Sequence, residues 1–367
     1  MVAGLFVSLL AGCLPSGQRP PCSTGPGPLN TVCGFHNPED VEYVQRAGLV
    51  LVTNMRDAGR HAAGQARAGT GPEEGGFVAA YEPDDGTVRV LWPFDGAVSA
   101  DPDDTLGDPA CQQPPAAAAF SPHGMTSRTQ NGRTLVFVTN HRSGRRGREA
   151  VEVFALEGGR KDARLVWKAC IPTLGGIQAN DIAVTHDGQV VVSNYQPSGS
   201  LRFTFEASLF GAKTGDVLVW NAESGWRHVP GTSAALANGV AVSADGQMLF
   251  YAESMTGLVH RLPLAGGGGA ISVQIEGNPD NLSWTDHGRL LVTSHTAGTR
   301  FGLCLLGRRP CETSWAVFEI DPLTLAVRKI FEHDGTQLGA VSSAAQVDGD
   351  LVLGSVFDDR IGLLAVR

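Results

Sequence analysis

Gln178-Ala179-Asn180-Asp181-Ile182-Ala183-Val184, then His186-Asp187-Gly188, then Gln189-Val190-Val191-Val192-Ser193-Asn194 reads as a polar opening, a strand, a tight Asp-Gly turn and a second strand ending on a polar side chain. The same pattern recurs at Ala237-Asn238-Gly239-Val240-Ala241-Val242, Ala244-Asp245-Gly246 and Gln247-Met248-Leu249-Phe250-Tyr251-Ala252-Glu253. Two stretches with one punctuation mark a repeat unit.

Four further copies flank these two. The first runs from Asn37-Pro38-Glu39-Asp40 into Val41-Val44 and returns through Leu49-Asn54; the second opens at Ser121-Pro122-His123-Gly124-Met125, turns at Asn131-Gly132 and returns through Thr134-His141. The fifth opens at Asn278-Pro279-Asp280-Asn281, turns at Asp286-His287-Gly288 and returns to His295. The sixth, Ser342-Ser343-Ala344 with its turn at Asp348-Gly349, has no His, Asn or acid at its opening.

Openings at 39, 123, 180, 238, 280 and 343 lie 84, 57, 58, 42 and 63 residues apart. A period near 60 with two marked strands leaves room for two more, such as Gly215-Trp220 and Trp315-Ile320, and this is the arithmetic of a four-stranded propeller blade. The expected fold is all-β, a six-bladed β-propeller, with residues 26–367 as its single domain and 1–25 as export signal and linker. Few strands remain for the last blade, and Asn30 to Phe35 can supply one of them. Two stacked β-sandwiches are the rival arrangement, but they do not require one period.

Composition agrees with this. The chain has 367 residues, 42% apolar and 18% charged, with 47 glycines, and no segment sustains apolar residues at helical spacing over several turns. A net charge of -9 disfavours nucleic acid as a partner, because such affinity rests on neutralising phosphates. The one basic run, Arg142, Arg145, Arg146 and Arg148, reads as a solvated loop.

The apolar run Val2–Leu10 is too short to span a bilayer, and Leu10-Ala11-Gly12-Cys13 resembles a bacterial lipobox with Cys13 as the lipidated residue, although no Lys or Arg precedes it. Export to the periplasm or cell envelope, with membrane attachment through Cys13, is the expectation. Six other cysteines, at 22, 33, 111, 170, 304 and 311, form an even set suited to an oxidising compartment; Cys304 and Cys311 flank one loop, and the remaining connectivity stays open. No C-x-x-C pair signals a zinc knuckle.

In a propeller the first strand of every blade lines the central channel, so the opening residues meet around the axis. Glu39, Asn180, Asn238, Asp280 and Asn281 then form a ring of carboxylate and amide oxygens, the donor type that suits calcium. A single Asn at a strand end serves as a turn residue; oxygens at the equivalent point of four units ask for more. One residue on, Asp40 and Asp181, with the Met125 carbonyl, can hold a second, deeper ion, or can bond neighbouring backbone amides. His141, ending its return strand, comes back beside His123.

At Glu39-Asp40, Pro122-His123-Gly124, Asn140-His141, Asn180-Asp181, Asn238-Gly239 and Asp280-Asn281, in that order over roughly residues 35–360, the sequence resembles the paraoxonases, calcium-dependent lactonases and arylesterases with a six-bladed propeller. The resemblance implies two calcium ions: a catalytic one on Glu39, Asn180, Asn238, Asp280 and Asn281, and a structural one on Asp40, Asp181 and the Met125 carbonyl, with His123 and His141 as the family's histidine pair. Gluconolactonase-type propellers share the oxygen ring but not that pair. The family's amphipathic N-terminal anchor and its ring-closing cysteine find no counterpart in the sequence, so lipoprotein binding and that disulfide are not expected.

The expected activity is calcium-dependent hydrolysis of a lactone or aryl ester, the metal polarising the carbonyl while His123 takes the proton of attacking water and His141 assists. No G-x-S-x-G elbow points to a serine esterase. Loops 56–76, 196–212 and 297–313 open on the ring's face; the middle one carries Leu201, Phe203, Phe205, Leu209 and Phe210, so Phe203, Phe205 and Phe210, with His295, are expected to wall an apolar pocket. The alternatives are a sugar lactonase of gluconolactonase type and a calcium-stabilised binding propeller without turnover.

Overall fold

The computed structural model describes residues 22, 27–55, 75–94, 100–103, 105–141, 147–175, 177–197, 204, 206–208, 210–305 and 311–366. Twenty-four strands form six four-stranded antiparallel sheets, each a blade of a six-bladed propeller. The first strand of each blade is β2 (Val41–Val44), β6 (Pro122–Gln130), β10 (Ile177–Val184), β14 (Ala237–Val242), β18 (Asn278–Trp284) and β22 (Val341–Val347). Each packs against the next, and β22 packs back on β2 to close the ring. The chain's first strand, β1 (Leu29–Cys33), is the outermost strand of the last blade, antiparallel to β24 (Arg360–Leu364). Strand β1 supplies the missing strand, so residues 29–33 and 360–364 are fastened by one ladder of hydrogen bonds.

Apolar side chains collect in six layers, one at each blade-to-blade interface, such as Leu51, Trp92, Phe120 and Phe154 between the first two blades. This explains why return strands such as β3 (Leu49–Asn54) are buried along their whole length rather than alternating. Both faces of a blade meet a neighbour.

Near the axis the layers give way to polar stitches. Asp40 accepts from Met125 N at 2.6 Å, Thr139 Oγ1 donates to Asn180 O at 3.0 Å, and Asp181 accepts from Val240 N at 2.7 Å. Ser254 Oγ donates to Pro279 O at 2.6 Å and Thr293 Oγ1 to Ser342 O at 2.5 Å. Ser342 and Ser343 donate to Glu39 O at 2.6 and 2.8 Å. Every blade boundary is crossed. The polar-poor sixth opening thus fills its place with two serine hydroxyls that hold the first blade.

In five blades the ladder between first and second strands slips at the opening, between Pro122 and Met125, Ala179 and Ile182, Ala237 and Val240, Pro279 and Leu282, and Val341 and Ala344. Each is a β-bulge, which breaks strict alternation and turns adjacent residues toward one region. The strands also approach too closely for a side chain at two of these points: a Cβ on Gly124 would lie 2.4 Å from Asn180 O, and one on Gly239 2.3 Å from Asp280 O.

Among the described residues three disulfides join Cys22 to Cys33, Cys111 to Cys170 and Cys304 to Cys311. Among the described residues no helix is long and apolar enough to cross a membrane.

Gly124→Ala and Gly239→Ala are each expected to lower stability by about 1–3 kcal/mol by forcing the inner ring apart. Gly269→Ala, whose Cβ would meet nothing within 4 Å, should stay within about 0.5 kcal/mol. Urea denaturation of the three variants checks this, and equal midpoints would contradict the close packing at the axis.

Candidate functional site

Glu39, just before β2, and the bulged openings that carry Asn180, Asn238, Asp280 and Asn281 lie at the inner ends of their blades, all five residues buried. Glu39 Oε1 accepts from Asn281 Nδ2 at 2.9 Å; its Oε2 lies 3.3 Å from His123 Nδ1 but outside hydrogen-bond geometry. Four buried oxygens here lack a hydrogen-bond donor: Glu39 Oε2 and the Oδ1 atoms of Asn180, Asn238 and Asn281. Buried acceptors without donors cost about 1–3 kcal/mol each, so their gathering at one point is a built demand for positive charge. Burial first, then the carboxylates of Asp40, Asp280 and Asp181, hold the Glu39 carboxyl well above the usual range.

That donor set fits a hard cation: oxygens only, two formal charges, irregular placement. Among the described residues no group of three or more His, Cys, Asp and Glu is disposed to hold a metal, so an ion in this ring depends on the asparagine oxygens. Asp280 and Asn281, adjacent in sequence, both serve the ring because of the bulge at 279–282.

The deeper pair differs. Asp40 accepts from Val41 N at 2.8 Å as well as from Met125 N, and Asp181 accepts from Ile182 N at 2.7 Å as well as from Val240 N. Met125 meets Asp40 through its N–H, a contact the sequence had assigned to no role. Burial raises both carboxyls, Asp181 to about 8, and the Asp181 charge is the next cause at Asp40. Each carboxylate oxygen retains a lone pair beyond its amide, so the pair can still take a cation. Farther down the channel Glu42 accepts from Ser127 N and Oγ at 2.8 and 2.6 Å, and burial lifts it to about 7.

His123 and His141 stand together, ring centroids 4.9 Å apart and edge to face. His123 Nδ1 lies 3.2 Å from Asn180 O, which assigns the proton to Nδ1 and makes Nε2 the basic nitrogen. His141 N donates to Ser121 O at 2.9 Å, and its Nδ1 is 3.1 Å from Glu149 Oε2.

The expected pocket wall can be followed at two of its four residues, Phe210 and His295. Phe203 and Phe205 lie outside the described residues, as do Cys13, Arg142, Arg145 and Arg146; Phe210 is 91% exposed and walls nothing. His295 is only 2% exposed, its Nε2 is 2.6 Å from Asp280 Oδ2, and Phe301 stacks on it with centroids 3.6 Å apart. It holds a ring carboxylate rather than lining open space. The apolar group nearest the ring is made by Phe301 and Leu305 on α1 (Thr299–Leu305), the Cys304–Cys311 bridge, Met55, Val356 and Phe357.

Two residues escaped the sequence reading. Tyr195 follows Asn194 on β11 (Val190–Pro197); burial, then the Asp280 charge, push its hydroxyl up, so it stays a neutral donor. Glu149 precedes β8 (Ala150–Glu157), opposite His141 in an extension of the Asn140–Ala150 register, a signal visible only once strands are paired.

No curated protein matches the chain significantly. Among solved structures, the propeller resembles a luciferin-regenerating enzyme (11% identity, 92% of this chain and 94% of that one, TM-score 0.54). It also resembles a gluconolactonase from Xanthomonas campestris (15% identity, 92% and 89%, TM-score 0.51) and regucalcin, a calcium-binding protein from Agrobacterium tumefaciens (11% identity, 90% and 90%, TM-score 0.50). At such identities the likeness shows the fold. The sequence pattern of the arylesterases runs over residues 110–361, well over half of the chain, and the protein belongs to the arylesterase family.

Proposed function

We propose that the protein is a calcium-dependent hydrolase of lactones or aryl esters, with its chemistry at the mouth of the channel. The observation that carries this is the set of four buried oxygens of Glu39, Asn180, Asn238 and Asn281 without a donor among the described residues, with Glu39 Oε2 3.3 Å from Nδ1 of His123, whose ring pairs with that of His141. Membership of the arylesterase family supports the ester-hydrolase class, and the name of the regucalcin neighbour supports calcium.

Glu39, Asn180, Asn238, Asp280 and Asn281 would hold the catalytic ion, and Asp40 and Asp181 a second one. What calcium supplies in that ring is polarisation of the substrate carbonyl and neutralisation of the charge developing on its oxygen. His123, fixed through Nδ1 to Asn180 O, takes at Nε2 the proton that attacking water loses. His295 keeps the Asp280 carboxylate oriented through its 2.6 Å contact, and Phe301 keeps His295 in place. The apolar group of Phe301, Phe357, Val356 and Met55 beside the ring favours an apolar acyl or aryl portion over a polyhydroxylated sugar lactone. The three cysteine pairs support an exported protein in an oxidising compartment.

A panel of lactones, aryl esters and phosphotriesters, assayed with calcium and with chelator, tests the class. Turnover abolished by chelator is expected, whereas no turnover with calcium affinity intact would point to a binding propeller. His123→Gln should lower kcat by about 10²–10⁴-fold with calcium affinity unchanged, and full activity in that variant would sink the base assignment. Asn180→Ala should weaken calcium binding and activity while sparing the fold; Asp181→Ala, which strands the Val240 and Ile182 amides, should cost about 2–4 kcal/mol of stability as well.

The raised carboxyls add a pH dependence. Asp181, at about 8 when folded against its ordinary 3.8, keeps a proton that the unfolded chain has released. The contribution of Asp181 to the stability of the calcium-free protein is therefore full below about pH 4 and is lost as pH rises through about 8. Calcium should flatten that slope, which thermal melts across the range will read.

A further inference from the structure

We propose that Glu149 is the positioning residue of His141, so that the histidine pair is completed by a carboxylate into a Glu149–His141–His123 chain. This rests on the reading that the pair moves the proton of the attacking water. His141 follows the strand that ends at Asn140 and Glu149 precedes β8; extending the register Asn140↔Ala150 by one residue sets them opposite each other, and Glu149 Oε2 stands 3.1 Å from His141 Nδ1.

Both partners are held by their backbones. His141 N donates to Ser121 O at 2.9 Å, and Glu149 O accepts from Thr173 N at 3.1 Å and from Thr173 Oγ1 at 3.3 Å. Thr173 Oγ1 also reaches Ile177 O at 3.3 Å, at the start of β10, the strand that carries Asn180. The Glu149 backbone is thus tied through Thr173 to the same strand that fixes the His123 ring.

The adjacent Arg148 turns to a different carboxylate. Arg148 donates through Nε and Nη2 to Glu152 at 2.8 and 2.6 Å, and Glu152 is completed by Asn140 Nδ2 and Trp167 Nε1. Alternation along the strand sends Arg148 and Glu149 to opposite faces.

The physical consequence is a fixed tautomer. A carboxylate at Nδ1 keeps the His141 proton there, presents Nε2 as the acceptor, and stabilises the imidazolium when the pair carries an additional proton. Glu149 itself neither gains nor loses one. The proton leaves water for the histidines and returns to the departing alkoxide or phenoxide.

The test uses the full chain saturated with calcium, phenyl acetate and δ-valerolactone as substrates, and the variants Glu149→Gln, His141→Gln and their double. Glu149→Gln should lower kcat by about 10- to 100-fold with KM, melting temperature and calcium affinity nearly unchanged. The double variant should be no slower than His141→Gln alone, because Glu149 acts through that ring. Full kcat in Glu149→Gln beside a crippled His141→Gln overturns the proposal and leaves the histidine reading standing. Full kcat in His141→Gln overturns both, and multiplicative losses in the double variant overturn the positioning role. Independently of turnover, NMR of the imidazole nitrogens should report a single Nδ1–H tautomer for His141 in the native protein and a mixture in Glu149→Gln; an unchanged spectrum also overturns it.

Discussion

A carboxylate and three amide oxygens buried around one axis without donors is the constraint on which this molecule turns. Glu39 Oε2 and the Oδ1 atoms of Asn180, Asn238 and Asn281 sit where water is excluded and no amide or hydroxyl answers them. A fold keeps such a group only if the surroundings over-determine it. Here the surroundings are six first strands locked to one another, with hydroxyl and amide bonds across every boundary and glycine where two backbones come within van der Waals reach.

Stability and chemistry are divided radially. Six apolar layers between the blades supply the burial, at about 1.5–3 kcal/mol for each large side chain fully removed from water. That energy lies outside the ring and is not drawn on by it. The rigid body so made can hold oxygens in positions that no local segment would choose, which is the condition for preorganised electrostatics. Closure of the last blade by β1 belongs to the same logic, since it completes the sheet whose first strand holds Glu39 O through Ser342 and Ser343.

Above the ring, strands give way to connections, and there the placement of side chains is looser in sequence but not in geometry. The Cys304–Cys311 bridge holds α1 so that Phe301 covers His295, and His295 in turn holds Asp280. An aromatic ring on a loop is thereby linked through one imidazole to a proposed calcium ligand. Changes on that wall can reach both what is bound and how the ring carboxylate is oriented.

The repeat by itself determined the architecture, because period, strand length and Asp-Gly or Asn-Gly turns are local properties, and six copies with one phase admit few closures. It also pointed to the openings of the first strands as the place to look for a site, since these openings must meet at an axis. It misplaced Phe210, which points into solvent, and passed over Phe301, an aromatic on α1 that packs over His295. It could not show that bulges would put Asp280 and Asn281 in one ring, or that Glu149 would stand opposite His141 across a strand pair. Only the tertiary structure decided which buried oxygens keep a donor and which go without. That is settled by the distance between backbones far apart in the chain, and no local pattern encodes it.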